Sequence, residues 1–411
     1  MMRAPGNRHL LLTALCVAAA ACPPAAKAEG AARPDLLCFA QGALPVGIEG
    51  GAPELGIGMN EALQVIDGDL RGFVVTPKPG GADTEISFVY ELPALTTFES
   101  FAVPNVLETP SPAQTFFRTV GIDGSEAGRD GPFTQLAGVT LVTHPKKDEM
   151  TVIPATAAMP VRWVRVTLGG GINIERERTF FEFSEISGYG VQEQLPLSSA
   201  FSGKWKGPGV VLELRQDGVR VSGCYDGEGD LEGTVSGNLL HATGRSRKSG
   251  VPSTFVLSTG SDGDIIGVRS TNGAPFRLYR GDAAPDLNTE CSERPVAPIG
   301  CGSVIHGIRF DFDSATIRPE SEEHLDALYD GLRSSAPTAV TVVGYTSSEG
   351  SDAYNEDLSR RRAEAVVAAI VARGFEAGEL SAQGRGEQHP IADNSTEAGR
   401  SLNRRVEVEC R

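Results

Sequence analysis

At 411 residues the chain is too long for one typical domain, and its length points to two to four. A net charge of −16 excludes nucleic acid as a natural partner, because phosphate binding needs a basic footprint. With 49 Gly, 26 Pro and only 6% aromatic residues, short strands and turns are expected rather than a helical bundle.

Residues 1–28 read as an export signal. Arg3 and Arg8 supply the positive start, Leu10 to Ala21 the apolar centre, and Ala26-Lys27-Ala28 a cleavage site. The alternative is a lipoprotein signal acylated at Cys22, although Ala19-Ala20-Ala21 lacks the usual branched residue. The apolar run is too short to span a bilayer, and no later segment is long and apolar enough to do so. No porin-like series of long alternating strands follows. Export implies an oxidising compartment, where Cys38, Cys224, Cys291, Cys301 and Cys410 favour disulfides. Five is odd, so at least one thiol is free or intermolecular. Cys301 and Cys410 bracket the last domain and are the candidate pair. No CxxC or Cys/His cluster suggests a metal, and no cofactor is expected.

Residues 35–192 are expected to form a β-sandwich. Ile86–Tyr90, Val161–Val166 and Phe181–Ile186 each alternate like half-buried strands. The stretch VRWVRVTLGGGINIERERTFFEFSEISGYG resembles the closing strands of discoidin-type, galactose-binding-like jelly rolls. NEALQVIDGDLRGF is similar to the segment that introduces their first strand. That resemblance implies sugar binding through end loops. The residues themselves offer no cluster of aromatic platforms, so a sandwich that contacts another envelope protein stays open.

Residues 201–281 read as a β-meander or small barrel of about eight strands. Leu212, Leu214, Val219, Val221 and Tyr225 fall at strand spacing, with turns at Gln216-Asp217-Gly218, Asp226-Gly227 and Ser261 to Asp264. The Asp/Gly turns lack the full calcium-loop pattern and read as hairpin chemistry. Residues 282–302, with Pro285, Pro295 and Pro298, read as a linker pinned by Cys291 or Cys301.

Residues 303–411 change to an α/β pattern. The expected elements are a strand from Val304 to Phe312, a helix carrying Leu325, Leu328 and Leu332, and a strand at Val340–Val343. A second helix is expected from about Ala353 to Arg373, then strands at Leu380–Gly384 and Val406–Glu409. Within it, GYTSSEGSDAYNEDLSRRRAEAVVAAIVARGFEAGELSAQGRGEQHPIADNS closely resembles the OmpA-like peptidoglycan-binding domain. The matched residues are Gly344, Tyr345, Thr346, Ser347, Gly350, Tyr354, Asn355, Leu358, Ser359, Arg362 and Ala363.

The resemblance implies a non-enzymatic envelope protein that binds peptidoglycan through the diaminopimelate of its stem peptide. That zwitterion needs a cation for its carboxylate and an anion for its ammonium. Arg362 occupies the family's guanidinium position. The family's carboxylate position is Ser347 here, which brings no charge. Glu349, in the same loop, is the expected replacement, and the alternative is a weakened or lost site. Thr346 belongs to the matched loop, Asp313 is within reach of the pocket, and Asn355 orders the loop or caps the helix. The chain carries no G-x-S-x-G elbow, HExxH or P-loop, so catalysis is not expected. The composite expectation is a periplasmic or outer-membrane-associated tether, with wall at one end and a protein or glycan partner at the β modules. Its alternative is an adhesion or assembly protein whose last domain no longer binds wall.

Overall fold

Period-two alternation of apolar side chains builds the strands that precede the last region of the chain. A computed structural model describes residues 34–411 except 52–54, 70–71, 76–84, 105–113, 142–149, 170–179, 195, 228, 290, 292–295 and 312. The expected export signal, including Cys22, lies outside the described residues.

Among the described residues ten strands come first: β1 (Leu44–Gly50), β2 (Phe73–Val75), β3 (Ile86–Pro104), β4 (Gln114–Phe116), β5 (Thr119–Ser125), β6 (Thr134–Thr140), β7 (Met150–Pro154), β8 (Pro160–Gly169), β9 (Phe180–Phe183) and β10 (Ser187–Gln192). The larger sheet runs β1-β3-β8-β5-β6, with β7 and β10 pairing the far half of the 19-residue β3. The smaller sheet is β2-β9-β4. Phe73 meets Phe88 edge-on at 6.3 Å and Phe117 stacks on Phe181 at 4.9 Å, so both sheets share one core. A short helix, α1 (Met59–Gln64), is tied to β3 by the Tyr90 hydroxyl, which donates to the Ala62 carbonyl at 2.8 Å.

Eight strands follow as a closed antiparallel barrel: β11 (Gly203–Gly207), β12 (Val210–Asp217), β13 (Arg220–Tyr225), β14 (Gly229–Ser236), β15 (Leu239–Ser246), β16 (Pro252–Thr259), β17 (Ile265–Thr271) and β18 (Arg277–Ala283). The strand count read from the sequence is met, and the meander closes where Trp205 pairs with Ala283. Eight strands leave an interior just wide enough for side chains. Leu212, Leu214, Tyr225, Phe255 and Leu257 are among its buried residues, and the Arg269 guanidinium lies 4.7 Å from the Tyr225 ring and 5.4 Å from that of Phe255.

The last region is α/β. Strands β19 (Val304–Ile305), β20 (Val340–Gly344), β21 (Leu380–Gly384) and β22 (Val406–Cys410) run in the order β19-β22-β20-β21. Helices α2 (Glu322–Ser335) and α3 (Asp352–Ala372) bury Leu325, Leu328, Leu332, Val366 and Ile370 against Val342 and Val408. Two expectations change here. The strand foreseen from Val304 to Phe312 pairs with β22 only over Val304–Ile305, with a further isolated bridge from Phe310 to Ile317, because between them the chain turns to the barrel. His306 N–H donates to Thr234 Oγ1 at 3.1 Å and Arg309 Nε to Ser236 Oγ at 2.8 Å. A further helix, α4 (Glu397–Asn403), was not foreseen; Thr396 caps it, accepting from Gly399 N–H.

Cys301 and Cys410 are disulfide-bonded, tying the start of this region to its last strand. Cys224 and Cys291 form a second bridge, which fastens the segment after the barrel to β13. Cys38 is a buried free thiol. Among the described residues no helix is long and apolar enough to cross a membrane, and no three His, Cys, Asp or Glu side chains group as a metal site.

The barrel meets the C-terminal region through histidines. His241 of β15 stacks on His306 at 5.5 Å, its Nε2 lies 3.1 Å from Ser401 of α4, and His324 of α2 is 1% exposed. Burial, with Arg309 and Arg404 nearby, pulls the pKa of His241 down to about 3; burial with Arg309 pulls that of His324 down to about 4. An unfolded histidine titrates near 6.5, so below that pH the unfolded chain binds protons that the fold refuses. The contribution of these two histidines to stability should therefore fall as pH drops from about 6.5 towards 4. Denaturant titrations at pH 7.5 and 4.5 should show His324→Gln losing about 3 kcal/mol less than the wild type over this range. Replacing both Cys301 and Cys410 by serine opens a 109-residue loop and should cost up to ~4–5 kcal/mol, read by the same titration at pH 7.5.

Candidate functional site

The matched motif begins where β20 ends. A Cβ on Gly344 would stand 2.3 Å from the Ser359 carbonyl oxygen, so only glycine lets α3 lie this close to the sheet. The chain then turns through Tyr345 to Ser351. Tyr345 anchors this loop: its N–H donates to the Arg405 carbonyl at 3.0 Å, and the Arg405 guanidinium lies 3.7 Å from its ring. Ser351 caps α3, accepting from Tyr354 N–H. Asn355 is 1% exposed and donates from Nδ2 to Glu387 at 2.6 Å, so it orders the loop from below.

Thr346 and Ser347 are both buried. Thr346 N–H donates to the Gly386 carbonyl at 2.8 Å, while its hydroxyl has no hydrogen-bond partner among the described residues. Ser347 Oγ donates to Glu349 Oε2 at 3.0 Å, which places the Glu349 carboxylate directly over the serine. Glu349 also lies 3.6 Å from Arg404 and 3.9 Å from Arg400.

Arg362 is half-buried on α3. Its Nε donates to the Ser314 carbonyl at 3.0 Å and its guanidinium lies 5.0 Å from the Phe310 ring. Among the described residues no carboxylate lies within 4 Å of it, and its two terminal nitrogens make no hydrogen bond. Burial, then Arg404 and Arg361, pull its pKa down to about 10, with Asp313 pulling the other way. It stays charged at neutral pH, as a cation short of counter-charge. Asp313 stands in the left-handed region at φ 50° and accepts from the Tyr354 hydroxyl.

The structure thus joins Ser347 to Glu349 by a hydrogen bond and Asp313 to Arg362 by charge, and Arg404 pairs with Glu349 while adding like charge near Arg362. Asn355 bonds Glu387 through Nδ2, and its Oδ1 stands beside Gly350 of the loop. Sequence reasoning did not assign roles to Glu397, Arg400 and Arg404 of the stretch STEAGRSLNRRVE. The signal that could have found them is the Thr396 cap followed by charges at helical spacing. Arg400 donates to Glu397 at 2.7 Å and Arg404 also donates to Glu397.

A four-stranded sheet backed by two helices, with a guanidinium and a charged loop at one end, defines an α/β domain of the OmpA type. Residues 309–404 match the OmpA family. Outer membrane protein A of Escherichia fergusonii is 34% identical over 164 residues, covering 36% of this chain and 68% of that sequence. The chain belongs to the OmpA family. Outer membrane porin F of Pseudomonas aeruginosa is 40% identical over 139 residues, 31% of this chain. The chain spans only 40% of that protein and 31% of porin F from Pseudomonas fluorescens. Among solved structures, the peptidoglycan-associated lipoprotein from Burkholderia pseudomallei is 29% identical with a TM-score of 0.24, covering 25% of this chain and 88% of that one.

The Asn355–Glu387 bond is charge-assisted and its donor is buried. Asn355→Leu should lower stability by about 2–3 kcal/mol, measured as the shift in a urea titration of the full chain.

Proposed function

We propose that this chain is a non-enzymatic envelope protein that holds peptidoglycan through its C-terminal domain, gripping the diaminopimelate of the stem peptide. The observation that carries the reading is Arg362: a half-buried guanidinium with free terminal nitrogens and no carboxylate within 4 Å among the described residues. Such a fork suits a carboxylate in bidentate fashion. The ammonium of the same residue would meet Glu349. Ser347 has no charge, but its hydroxyl holds the Glu349 carboxylate 3.0 Å away, close to where the family's carboxylate would stand. Asp313 acts on Arg362 through its charge and adds a second negative group.

On this reading the exported chain is a tether. The wall is held at one end, and the two β modules before it carry a protein or glycan partner in the periplasm or at the outer membrane. The jelly-roll resemblance of the first module favours a glycan there. The packed interior of the barrel favours an outer-face contact over a ligand held inside.

Co-sedimentation of the full chain with purified sacculi tests the wall reading. Wild-type protein should pellet with sacculi. Arg362→Ala should lose binding by about a hundredfold and Glu349→Gln by about tenfold, as loss of a charge-assisted hydrogen bond of about 1.5–3 kcal/mol implies. A Glu349→Gln chain that binds as well as wild type would remove Glu349 from the site.

A further inference from the structure

The surroundings of Glu349 are linked to the first β module through α4. A continuous set of contacts runs from the buried centre of the first β module to the wall loop. It starts at Glu185, which is 2% exposed and accepts the Gly68 N–H on Oε2 at 3.1 Å. The turn at Asp67–Gly68 then meets α4: Glu397 N–H donates to the Asp67 carbonyl at 3.1 Å. Gly68 has φ +77°, and a Cβ there would stand 2.7 Å from Glu397 Cβ and 3.3 Å from the Arg400 guanidinium. The Glu397 Cβ is fixed to the helix backbone, so any side chain at position 68 must displace α4.

Glu397 turns the contact into charge placement. Burial alone would raise its pKa, but Arg404 and Arg400 more than offset this and hold it below the ordinary value. It stays ionised and fixes both guanidinia, which reach Glu349 at 3.6 and 3.9 Å. Glu349 in turn is held over Ser347.

We infer that the Asp67–Gly68 turn of the first β module and Glu397 are positioning elements of the wall site, setting through Arg400 and Arg404 where the Glu349 carboxylate stands. This rests on the wall-binding reading above. Its consequence is that whatever shifts the first β module changes how tightly the C-terminal domain grips a free ammonium. The N-terminal partner and the wall are therefore linked thermodynamically, each altering the affinity for the other.

The test uses the full chain and a soluble stem tripeptide ending in diaminopimelate, by calorimetry, with its side-chain amine free or acetylated. Gly68→Ala should weaken binding of the free-amine peptide about three- to tenfold and leave the acetylated peptide within twofold. In a Glu349→Gln background the Gly68→Ala effect should vanish, because both changes act on one carboxylate. Glu397→Gln keeps the turn and the side-chain size intact. It should reproduce the Gly68→Ala result, which guards against a misfolded turn. Equal losses for both peptides, or the same loss with and without Glu349, would overturn the inference. So would unchanged affinity in both Gly68→Ala and Glu397→Gln. If wild-type protein binds neither peptide and Arg362→Ala changes nothing, the wall reading itself fails. If binding depends on Arg362 but ignores Gly68 and Glu397, only the positioning role falls.

Discussion

Glu397 sits where burial should neutralise it, and the structure around it is arranged to prevent that. Arg400 and Arg404 both bond its carboxylate, so the charge survives out of water. Removing a partner from this half-buried set leaves its charge uncompensated. That constraint gives the short α4 a fixed position that seven residues could not secure by helix propensity. Three surfaces then depend on it: the Asp67–Gly68 turn packs against its start, His241 meets Ser401 along it, and Arg404 beyond its end borders the loop of Glu349.

The same economy of charge explains Arg362. A guanidinium drawn out of water beside Arg404 and Arg361 is destabilised, with Asp313 a partial remedy. A bound carboxylate would relieve this desolvation without requiring the group to move, since Ser314 and Phe310 already hold it. Preorganisation of this kind lowers the ordering cost of binding. On the proposed reading, the missing carboxylate at Ser347 is offset by Glu349, which the Ser347 hydroxyl holds beside it.

Much of this was legible in the sequence where one local pattern decided the outcome. Hairpin turns at Gln216-Asp217-Gly218 and Asp226-Gly227, with alternation between them, were enough for the eight-strand barrel. The motif around Gly344 and Arg362 was enough for the α/β domain. The misses share a cause: they depend on contacts far apart in sequence. Nothing local in Val304–Phe312 says that the strand stops at Ile305, because the reason is Thr234 and Ser236 on the barrel. Nothing local in STEAGRS says that Glu397 is half-covered, because the cover is a turn more than three hundred residues earlier. Cys224 could not be matched to Cys291 by spacing, since the barrel fold alone brings them together.

The C-terminal domain is held from two directions whose chemistry responds to acid in opposite senses. On the barrel side the buried ionisable groups are His241, His306, His324 and Arg309, and protonating any of the histidines adds a like charge to a buried cationic set. On the side of the first β module the buried groups are carboxyls. Burial pushes Asp35 up to about 6 despite bonds from Gly188 and Leu37, and raises Glu185 well above its usual range. A carboxyl with a raised folded pKa contributes most below its unfolded pKa, and that contribution is lost as pH rises through the folded value. Falling pH therefore loosens the barrel contact while it relieves the buried acids behind Gly68. The two supports of α4 therefore respond to acid differently, while the Glu397 carboxylate, held below its ordinary value by Arg404 and Arg400, keeps its bonds until pH falls through its own depressed range.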